Sequence, residues 1–210
     1  MDSIIFDLDG TIWDSIDTVL DAWNECIKKH CPLKDKLTRT DFEGTMGLQM
    51  LEISKKLFPE LSEKERTTLI SACGDAEQKY LTAYGGKLYD NVEEVLNSLL
   101  KKYKLYIVSN CQDGYIESFY AYHKLEKYFF DYENPGRTGF YKGENINLIM
   151  ERNHLKSPVY VGDTEGDLNA AKYAGISFVY AKYGFGEVSE YDDVIEEFSD
   201  LKQYVQRQGA

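Results

Sequence analysis

The stretch IIFDLDGTIWDS, residues 4–15, places two aspartates and a glycine directly after a short aliphatic run. An apolar run of this length that ends near Gly10 is typical of a strand buried on both faces. Asp7 and Asp9 stand at the end of that strand, where neighbouring carboxylates repel each other and lose hydration. The plain alternative is a turn at the strand end, with Asp9 and Gly10 as turn residues.

Four later segments resemble this first strand, and helical patterns separate them. One of these patterns, from residue 92 to residue 100, repeats apolar residues at helical spacing and forms a single apolar stripe. Strands that alternate with helices predict right-handed crossovers and a parallel sheet covered on both sides, which is a Rossmann-like, doubly wound α/β fold. Such sheets place their functional sites outside the carboxyl ends of the strands. The four later strands are predicted at residues 104–110, 128–134, 157–163 and 176–183.

One long segment, residues 17–84, interrupts this alternation and contains no convincing strand. It shows three helical stretches instead, at residues 17–30, 50–58 and 62–84. At the start of the third stretch, Ser62 is followed three residues later by Glu65, which predicts a capping box. We therefore predict an all-helical cap subdomain inserted after the first strand. The alternative is that these helices pack onto the same core. The predicted division is an α/β core of residues 1–15 and 86–210 and a cap of residues 16–85.

Composition and charge restrict the possible functions. The chain has 210 residues and a formal net charge of −12, which works against binding to nucleic acid or to an anionic membrane. No stretch approaches the roughly 20 apolar residues of a membrane span, and no basic region precedes the N-terminal apolar run. The four cysteines show neither a CxxC pair nor zinc-site spacing, so we interpret them as reduced thiols. We expect a cytoplasmic protein; the sequence indicates no oligomeric state.

A second acidic motif, VYVGDTEGD at residues 159–167, follows another predicted strand. Asp167 lies four residues after Asp163 and hence on the same face of a helix that begins there. Asp163 could simply be the N-cap of that helix. If the parallel sheet brings this strand end next to Asp7, the clustered carboxylates need a cation. Oxygen ligands without histidine or cysteine match a hard ion, by preference Mg²⁺.

Two further elements supply groups that suit a phosphate. Ser109 and Asn110 offer a hydroxyl and an amide at a third strand end, although such a pair is common at loop starts. Lys142 stands just before a helix predicted to begin near Gly143, from where its ammonium can reach the same edge of the sheet. A lone lysine is more often a solvated surface charge. Together with the aspartates, these groups fit phosphoryl transfer through a carboxylate nucleophile, with a second carboxylate as acid and base.

These motifs resemble those of the haloacid-dehalogenase superfamily of phosphohydrolases. DLDGT at residues 7–11, Ser109, Lys142 and GDTEGD at residues 162–167 occur in the order and context of that family. The chain looks most like the phosphoglycolate-phosphatase and β-phosphoglucomutase branch, whose helical cap lies between the first and second motifs. One departure is Gly143, because many relatives have a proline after the lysine.

The resemblance implies a role for each acidic residue. Asp7 would be the nucleophile and a Mg²⁺ ligand, and Asp9 would be the general acid and base that binds the metal through its backbone carbonyl. Asp163 would complete the metal's ligands. Asp167 would not bind the metal directly but would act on a water molecule or on the lysine. Thr164, from the same motif, would support Asp167.

The remaining motif residues are implied to hold the phosphoryl group. Ser109 and Asn110 would bind it, and Lys142 would neutralise it and pair with Asp7. Thr11 belongs with this phosphate-binding set, where its side chain steadies the loop.

Two loops are open to either of two interpretations. Residues 43–50 (EGTMGLQM) match the position of a substrate-facing loop, which makes Gly47 and Gln49 candidates for substrate contact, but a plain helix junction explains them as well. Residues 183–186 (YGFG) form either a loop near the site or an ordinary turn.

The function predicted from the sequence is a Mg²⁺-dependent phosphatase that hydrolyses a small phosphorylated metabolite, phosphoglycolate-like or a sugar phosphate, through an aspartyl-phosphate. A phosphomutase or a pyrophosphatase would use the same core residues. A dehalogenase would need neither Asp9 nor Asp163. A non-enzymatic, receiver-like phospho-acceptor would need no insertion at residues 17–84.

Overall fold

The first strand lies in the middle of a six-stranded sheet. The computed structural model describes residues 1–31 and 35–208. Strand β1 (Ser3–Phe6) pairs in parallel with β4 (Lys104–Val108) on one side and with β6 (Pro158–Gly162) on the other. Its aliphatic and aromatic side chains are fully buried, which confirms the prediction of a strand covered on both faces.

The outer strands extend the sheet in both directions. The spatial order is β5-β4-β1-β6-β7-β8, and all neighbouring pairs are parallel. The five strands predicted from the sequence are confirmed. The sixth was missed because it has only three residues and lies in an acidic stretch. The outer strands are β5 (Asp131–Glu133), β7 (Ser177–Ala181) and β8 (Asp193–Ile195).

Helices cover both faces of the sheet, so the α/β doubly wound class is confirmed. Ile4 and Phe6 belong to one buried cluster and Ile5 belongs to another, as expected when successive side chains of a strand point to opposite faces. Short 3₁₀ turns cover residues 126–128 and 198–200. The helices of this part are α5 (Val92–Leu99), α6 (Tyr115–His123), α7 (Pro135–Thr138), α8 (Lys142–Arg152), α9 (Glu165–Ala174) and α10 (Leu201–Arg207).

The predicted insertion is helical and is closed at its base by a short ribbon. Strands β2 (Trp13–Asp14) and β3 (Lys87–Leu88) pair antiparallel where the chain leaves and rejoins the core. Between them, the described residues form helices only. The three predicted helices are present, and the five-residue α2 was not predicted. These four, here called the cap helices, are α1 (Ile16–His30), α2 (Arg39–Glu43), α3 (Met50–Leu57) and α4 (Glu63–Tyr84).

The cap helices pack together and also rest on the core. Trp23 of α1 packs against Phe42 and Phe58, with ring centroids 5.1 and 6.4 Å apart. Helix α4 runs along core helix α6, where Thr82 donates a 3.0 Å hydrogen bond to Ser118. The buried side chains of the cap are continuous with the cluster on one face of the sheet. The division at residues 15/16 and 85/86 therefore remains our proposal.

The helices that the structure describes include none with the length and apolar character needed to cross a membrane.

The capping box of α4 gives a test of the local sequence reading. Ser62 is the N-cap and accepts a hydrogen bond from the Glu65 backbone N–H, while the Glu65 carboxylate accepts one from the Ser62 backbone N–H. We expect Ser62→Ala to lower the free energy of unfolding by about 1 kcal/mol, because the Glu65 backbone N–H loses its side-chain partner. Urea unfolding followed by circular dichroism measures the change. Ser71→Ala, at an exposed position inside the same helix, should cost nothing, since alanine is the better helix former; equal losses would contradict the assignment.

Candidate active site

The carboxyl ends of the three central strands meet at one edge of the sheet. Phe6 is paired in register with Ile107 on one side and with Val161 on the other, so the three strands end level. Asp7 follows β1 directly, and its backbone N–H donates to the Val161 carbonyl at 2.8 Å. Ser109 follows β4, and Asp163 follows β6. The fold thus brings together three segments that are far apart in the chain.

Three buried carboxylates form a cluster at this edge. Asp7, Asp163 and Asp167 each contribute one oxygen, and these oxygens all lie within 4.8 Å of one another. All three side chains are almost inaccessible to solvent. Like charges at this spacing and depth are unfavourable unless cations compensate them.

Lys142 supplies one compensating charge. Its ammonium lies 3.0 Å from Asp7 Oδ1 and 2.6 Å from Asp167 Oδ1, and the side chain is buried. The lysine is therefore not the solvated surface charge of the plain interpretation. Helix α8 begins at Lys142 itself, with Tyr141 as N-cap, one residue earlier than predicted.

The glycine after Lys142 has a local explanation. A Cβ at position 143 would lie 2.7 Å from a ring carbon of Tyr173, so the tyrosine fills the space that a side chain there would need. Glycine in place of the family's proline is thus compatible with the close packing of Tyr173. Lys142 still reaches the carboxylates of Asp7 and Asp167.

Asp167 is held by the start of its own helix. Its Oδ2 accepts hydrogen bonds from the Thr164 backbone N–H at 3.0 Å, from the Thr164 hydroxyl at 2.7 Å and from the Asp163 backbone N–H at 3.2 Å. Thr164 is the N-cap of α9, so the alternative of Asp163 as N-cap is wrong. The Asp163 carboxylate is thereby left to face the site, whereas both oxygens of Asp167 are already engaged.

Asp163 is positioned by two loops from opposite ends of the chain. Its Oδ2 accepts a 2.7 Å hydrogen bond from the Phe185 backbone N–H, and the Thr11 hydroxyl lies 3.5 Å from Oδ1. Gly10 has a positive φ of 77°, and a Cβ there would fall 2.1 Å from Asp163 Oδ2. The Tyr183 hydroxyl donates to the Thr11 carbonyl at 2.7 Å. The YGFG segment is therefore a loop at the site, and Thr11 faces Asp163; its contact with phosphate stays a prediction.

The electrostatics of the cluster call for a further cation. Burial, reinforced by the charge of Asp167, raises the pKa of Asp7 to about 7, although Lys142 and the Ser109 hydroxyl oppose the shift. Burial and the charges of Asp167 and Asp7 also raise the pKa of Asp163. A donor set of carboxylate oxygens, with no histidine or cysteine in the cluster among the described residues, fits Mg²⁺.

Asp9 is not part of this cluster but lines the cavity next to it. Its Oδ1 accepts hydrogen bonds from the Ser15 hydroxyl at 2.5 Å and from the Tyr115 hydroxyl at 2.8 Å. Burial raises the pKa of this carboxyl above its ordinary value. Sequence reasoning missed both partners. Nothing distinguishes Tyr115 from the other tyrosines among the 17 in the chain.

A cavity of about 70 Å³ lies between this edge of the sheet and the cap helices. The core contributes Asp7, Asp9, Ser109 and Lys142 to its wall.

The amide of Asn110 donates to the Gly47 carbonyl at 2.8 Å, which ties the core to the loop before α3. Gly47 lines this cavity, whereas Gln49 lines a larger, open one of about 390 Å³ on the other side of Lys142. The assigned contacts of Asn110, Gly47 and Gln49 with substrate stay predictions. The cap's part of the wall includes Trp23, Phe42, Met46, Met50, Ile53 and Glu77.

Glu77 is a buried carboxylate in this wall that sequence reasoning missed. It accepts hydrogen bonds from the Trp23 indole N–H and, at 2.9 Å, from the Gln112 side-chain amide. Burial raises its pKa to about 7. A signal was present, because Glu77 continues a row of buried residues at four-residue spacing on α4 that includes Leu69, Cys73 and Leu81.

The fold and this site define a family of enzymes. The model of the haloacid dehalogenase-like hydrolase family matches residues 4–181, and the chain belongs to that family. Among curated proteins, the chain is 27% identical to a phosphoglycolate phosphatase of Vibrio parahaemolyticus, over 96% of this chain and 95% of that protein.

Solved structures show the same fold. The crystal structure of a predicted phosphoglycolate phosphatase from Haemophilus somnus superposes with a TM-score of 0.87 at 21% identity, over 98% of both chains. A β-phosphoglucomutase from Clostridium difficile superposes with a TM-score of 0.79 at 15% identity, over 99% of this chain and 96% of that one.

The buried position of Lys142 predicts a large effect on stability. We expect Lys142→Met to lower the free energy of unfolding at neutral pH by about 3–5 kcal/mol, because the neighbouring carboxylates lose their shared cation. Chemical denaturation without added metal measures the loss. The matched control is Lys202→Met, whose ammonium lies 2.8 Å from Glu94 at the exposed surface and should cost less than about 1 kcal/mol. Comparable losses in the two variants would show that Lys142 does not compensate the cluster.

Proposed function

We propose that the protein is a Mg²⁺-dependent phosphatase that hydrolyses a small phosphorylated metabolite through an aspartyl-phosphate on Asp7. The observation that carries the proposal is the setting of Asp7, a buried carboxylate in the wall of the cavity between the sheet edge and the cap helices. One side of it is held by the Lys142 ammonium, and Asp9 lines the same cavity two residues further along the chain.

In the first step, a carboxylate oxygen of Asp7 attacks the phosphorus atom, and the bond from phosphorus to the leaving oxygen breaks. Asp9 gives its proton to the leaving oxygen. The raised pKa of Asp9 suits this role, because a general acid must hold a proton at working pH. Its hydrogen bonds from Ser15 and Tyr115 fix the carboxyl in place.

In the second step, a water molecule attacks phosphorus and the bond from phosphorus to Asp7 breaks. The Asp9 carboxylate now takes the proton of the water, so that inorganic phosphate leaves and both aspartates return to their starting states. Each step uses Asp9 in the opposite direction, which a single carboxyl near the leaving oxygen can do.

The other residues supply charge and position. Lys142 would neutralise negative charge on the phosphoryl oxygens, and the Ser109 hydroxyl and Asn110, which line the same cavity, would bind them. Mg²⁺ would be held by Asp7 and Asp163, with the Asp9 carbonyl as the implied third protein ligand, and would supply further charge stabilisation when bound. Asp167 and Thr164 position Lys142 and the backbone at Asp163.

A phosphomutase would keep the same core chemistry but protect the phosphorylated aspartate from water. The similarity in fold to a β-phosphoglucomutase keeps this candidate open, and the lifetime of the phosphorylated protein separates the two activities. We further propose a cytoplasmic setting and no nucleic-acid partner. The four free cysteines and the net charge of −12 support both.

The nucleophile gives the most direct test. We expect Asp7→Asn to lower kcat for p-nitrophenyl phosphate by at least about a thousandfold, because an amide cannot form the intermediate. Phosphate release with Mg²⁺ present measures the loss, and circular dichroism checks that the variant is folded. Asp21→Asn, at an exposed position on α1, removes the same charge and should leave kcat unchanged. Near-normal turnover by Asp7→Asn would overturn the mechanism.

The metal site makes a separate prediction about stability. We expect Mg²⁺ to raise the melting temperature of the wild type, because it compensates the buried carboxylates. Asp163→Asn should not melt below the metal-free wild type, since it removes one of the repelling charges, but it should lose the stabilisation by Mg²⁺. Thermal melts with EDTA and with millimolar MgCl₂ measure both effects. An equal shift in the two proteins would place the ion elsewhere.

A further inference from the structure

The cap side of the cavity carries a carboxyl group and other hydrogen-bond acceptors. Glu77 is only 4% exposed, and its two oxygens face the Trp23 indole and the Gln112 amide. Asp9 belongs to the same cavity wall. The side-chain oxygen of Asn110, also in this wall, is buried and has no hydrogen-bond partner among the described residues. A ligand that brings hydrogen-bond donors would satisfy the Asn110 oxygen and could add a further hydrogen bond to the Glu77 carboxylate, whose oxygens each have one donor.

No positive charge of the cap balances this wall. Within residues 1–31 and 35–208, Glu77 forms no ion pair, and Lys142 is the only lysine or arginine that lines the cavity. Its ammonium is already shared between Asp7 and Asp167. Apart from Thr45, the rest of the cap's surface here has no polar side chain within the described part of the chain, and Trp23 and Phe42 belong to it. A second anionic group on the substrate would therefore find no partner.

We propose that Glu77 selects the leaving group of the substrate. The structure points to small phosphomonoesters whose alcohol part is neutral or positively charged and carries a hydroxyl or ammonium group that donates to Glu77. A leaving group that bears a carboxylate is disfavoured, because it would face the Glu77 carboxylate without a compensating cation. The inference rests on the proposed function and narrows its substrate class.

The same reasoning predicts a substrate preference that differs from the one given in the name of a relative. The Vibrio protein is named for phosphoglycolate, whose leaving group carries a carboxylate next to the phosphate ester. At 27% identity most positions differ between the two proteins, so the relative's name does not fix the substrate that this chain's cap residues select. Glu77 predicts that phosphoglycolate is a poor substrate here.

Glu77 also joins two parts of the molecule, since Trp23 belongs to the cap and Gln112 to the core. If Glu77 only held the cap to the core, its substitution would change kcat/KM by the same factor for all substrates. A charge that selects the leaving group changes the ratio between substrates of different charge. The ratio of kcat/KM values is therefore the decisive readout.

The experiment uses three phosphomonoesters of similar size, assayed with Mg²⁺ by phosphate release. Phosphoethanolamine carries an ammonium, glycerol phosphate carries neutral hydroxyls and phosphoglycolate carries a carboxylate. We expect wild-type kcat/KM for at least one of the first two to exceed that for phosphoglycolate by about tenfold or more. Glu77→Gln should shift the ratio toward phosphoglycolate by at least about tenfold, because the amide has the same shape without the charge.

Two further variants are the controls. Asp75→Asn removes a charge from an exposed position on the same helix and should keep the wild-type ratios. Gln112→Ala removes the tie to the core but keeps the charge of Glu77, so it should still discriminate against phosphoglycolate whatever its rate. If Glu77→Gln does not fold, a loss of discrimination in Gln112→Ala overturns the inference.

The remaining outcomes separate this inference from the proposed function. A wild type that prefers phosphoglycolate, or an equal change for all three substrates in Glu77→Gln, overturns the role of Glu77 alone. Hydrolysis of p-nitrophenyl phosphate but of none of the three esters overturns the substrate class and leaves the phosphatase chemistry in place. Failure to hydrolyse any phosphate ester with Mg²⁺ overturns the proposed function, and the inference falls with it.

Discussion

The site depends on one buried ammonium held between two carboxylates. Lys142 joins Asp7, at the end of the first strand, to Asp167, in the first turn of α9. Without this charge, Asp7, Asp163 and Asp167 would repel one another in a region that water does not reach. One positive charge against three carboxylates still leaves an imbalance. The remaining negative charge favours a divalent cation. The lysine and the proposed Mg²⁺ would together compensate the three carboxylates.

The cap completes the site through polar contacts rather than through additional charge. The Asn110 amide meets the Gly47 carbonyl, and the Gln112 amide meets Glu77, so the loop after β4 touches the cap at two points. These contacts hold the cap against the core beside the cavity next to Asp7, where a low local dielectric would strengthen charge interactions with the phosphoryl group. In the proposed enzyme, the core performs the phosphoryl transfer and the cap recognises the leaving group.

Local patterns in the sequence predicted the strands and most of the helices because each forms from contiguous residues. The five long apolar runs became strands, and Ser62 with Glu65 became the start of α4. The sequence also placed Asp7 and Asp163 at level strand ends, which register confirms. Its alternative of Asp163 as N-cap was wrong by one residue, because Thr164 caps α9 and either side chain can cap a helix. It missed Tyr115 and Glu77, because their contacts join residues 106 and 54 positions apart and only the folded chain brings them together.

Charge explains how an acidic protein can act on an anionic substrate. A net charge of −12 repels a phosphorylated molecule at long range, so attraction must come from within the site. Lys142 and the proposed metal provide it at the phosphoryl end, while Glu77 places a carboxylate at the cap end. A substrate with one anionic and one donor-bearing or cationic end matches this polarity, and its orientation in the cavity is then fixed by charge. A substrate with negative charge at both ends does not match it, because only one end of the cavity holds a cation.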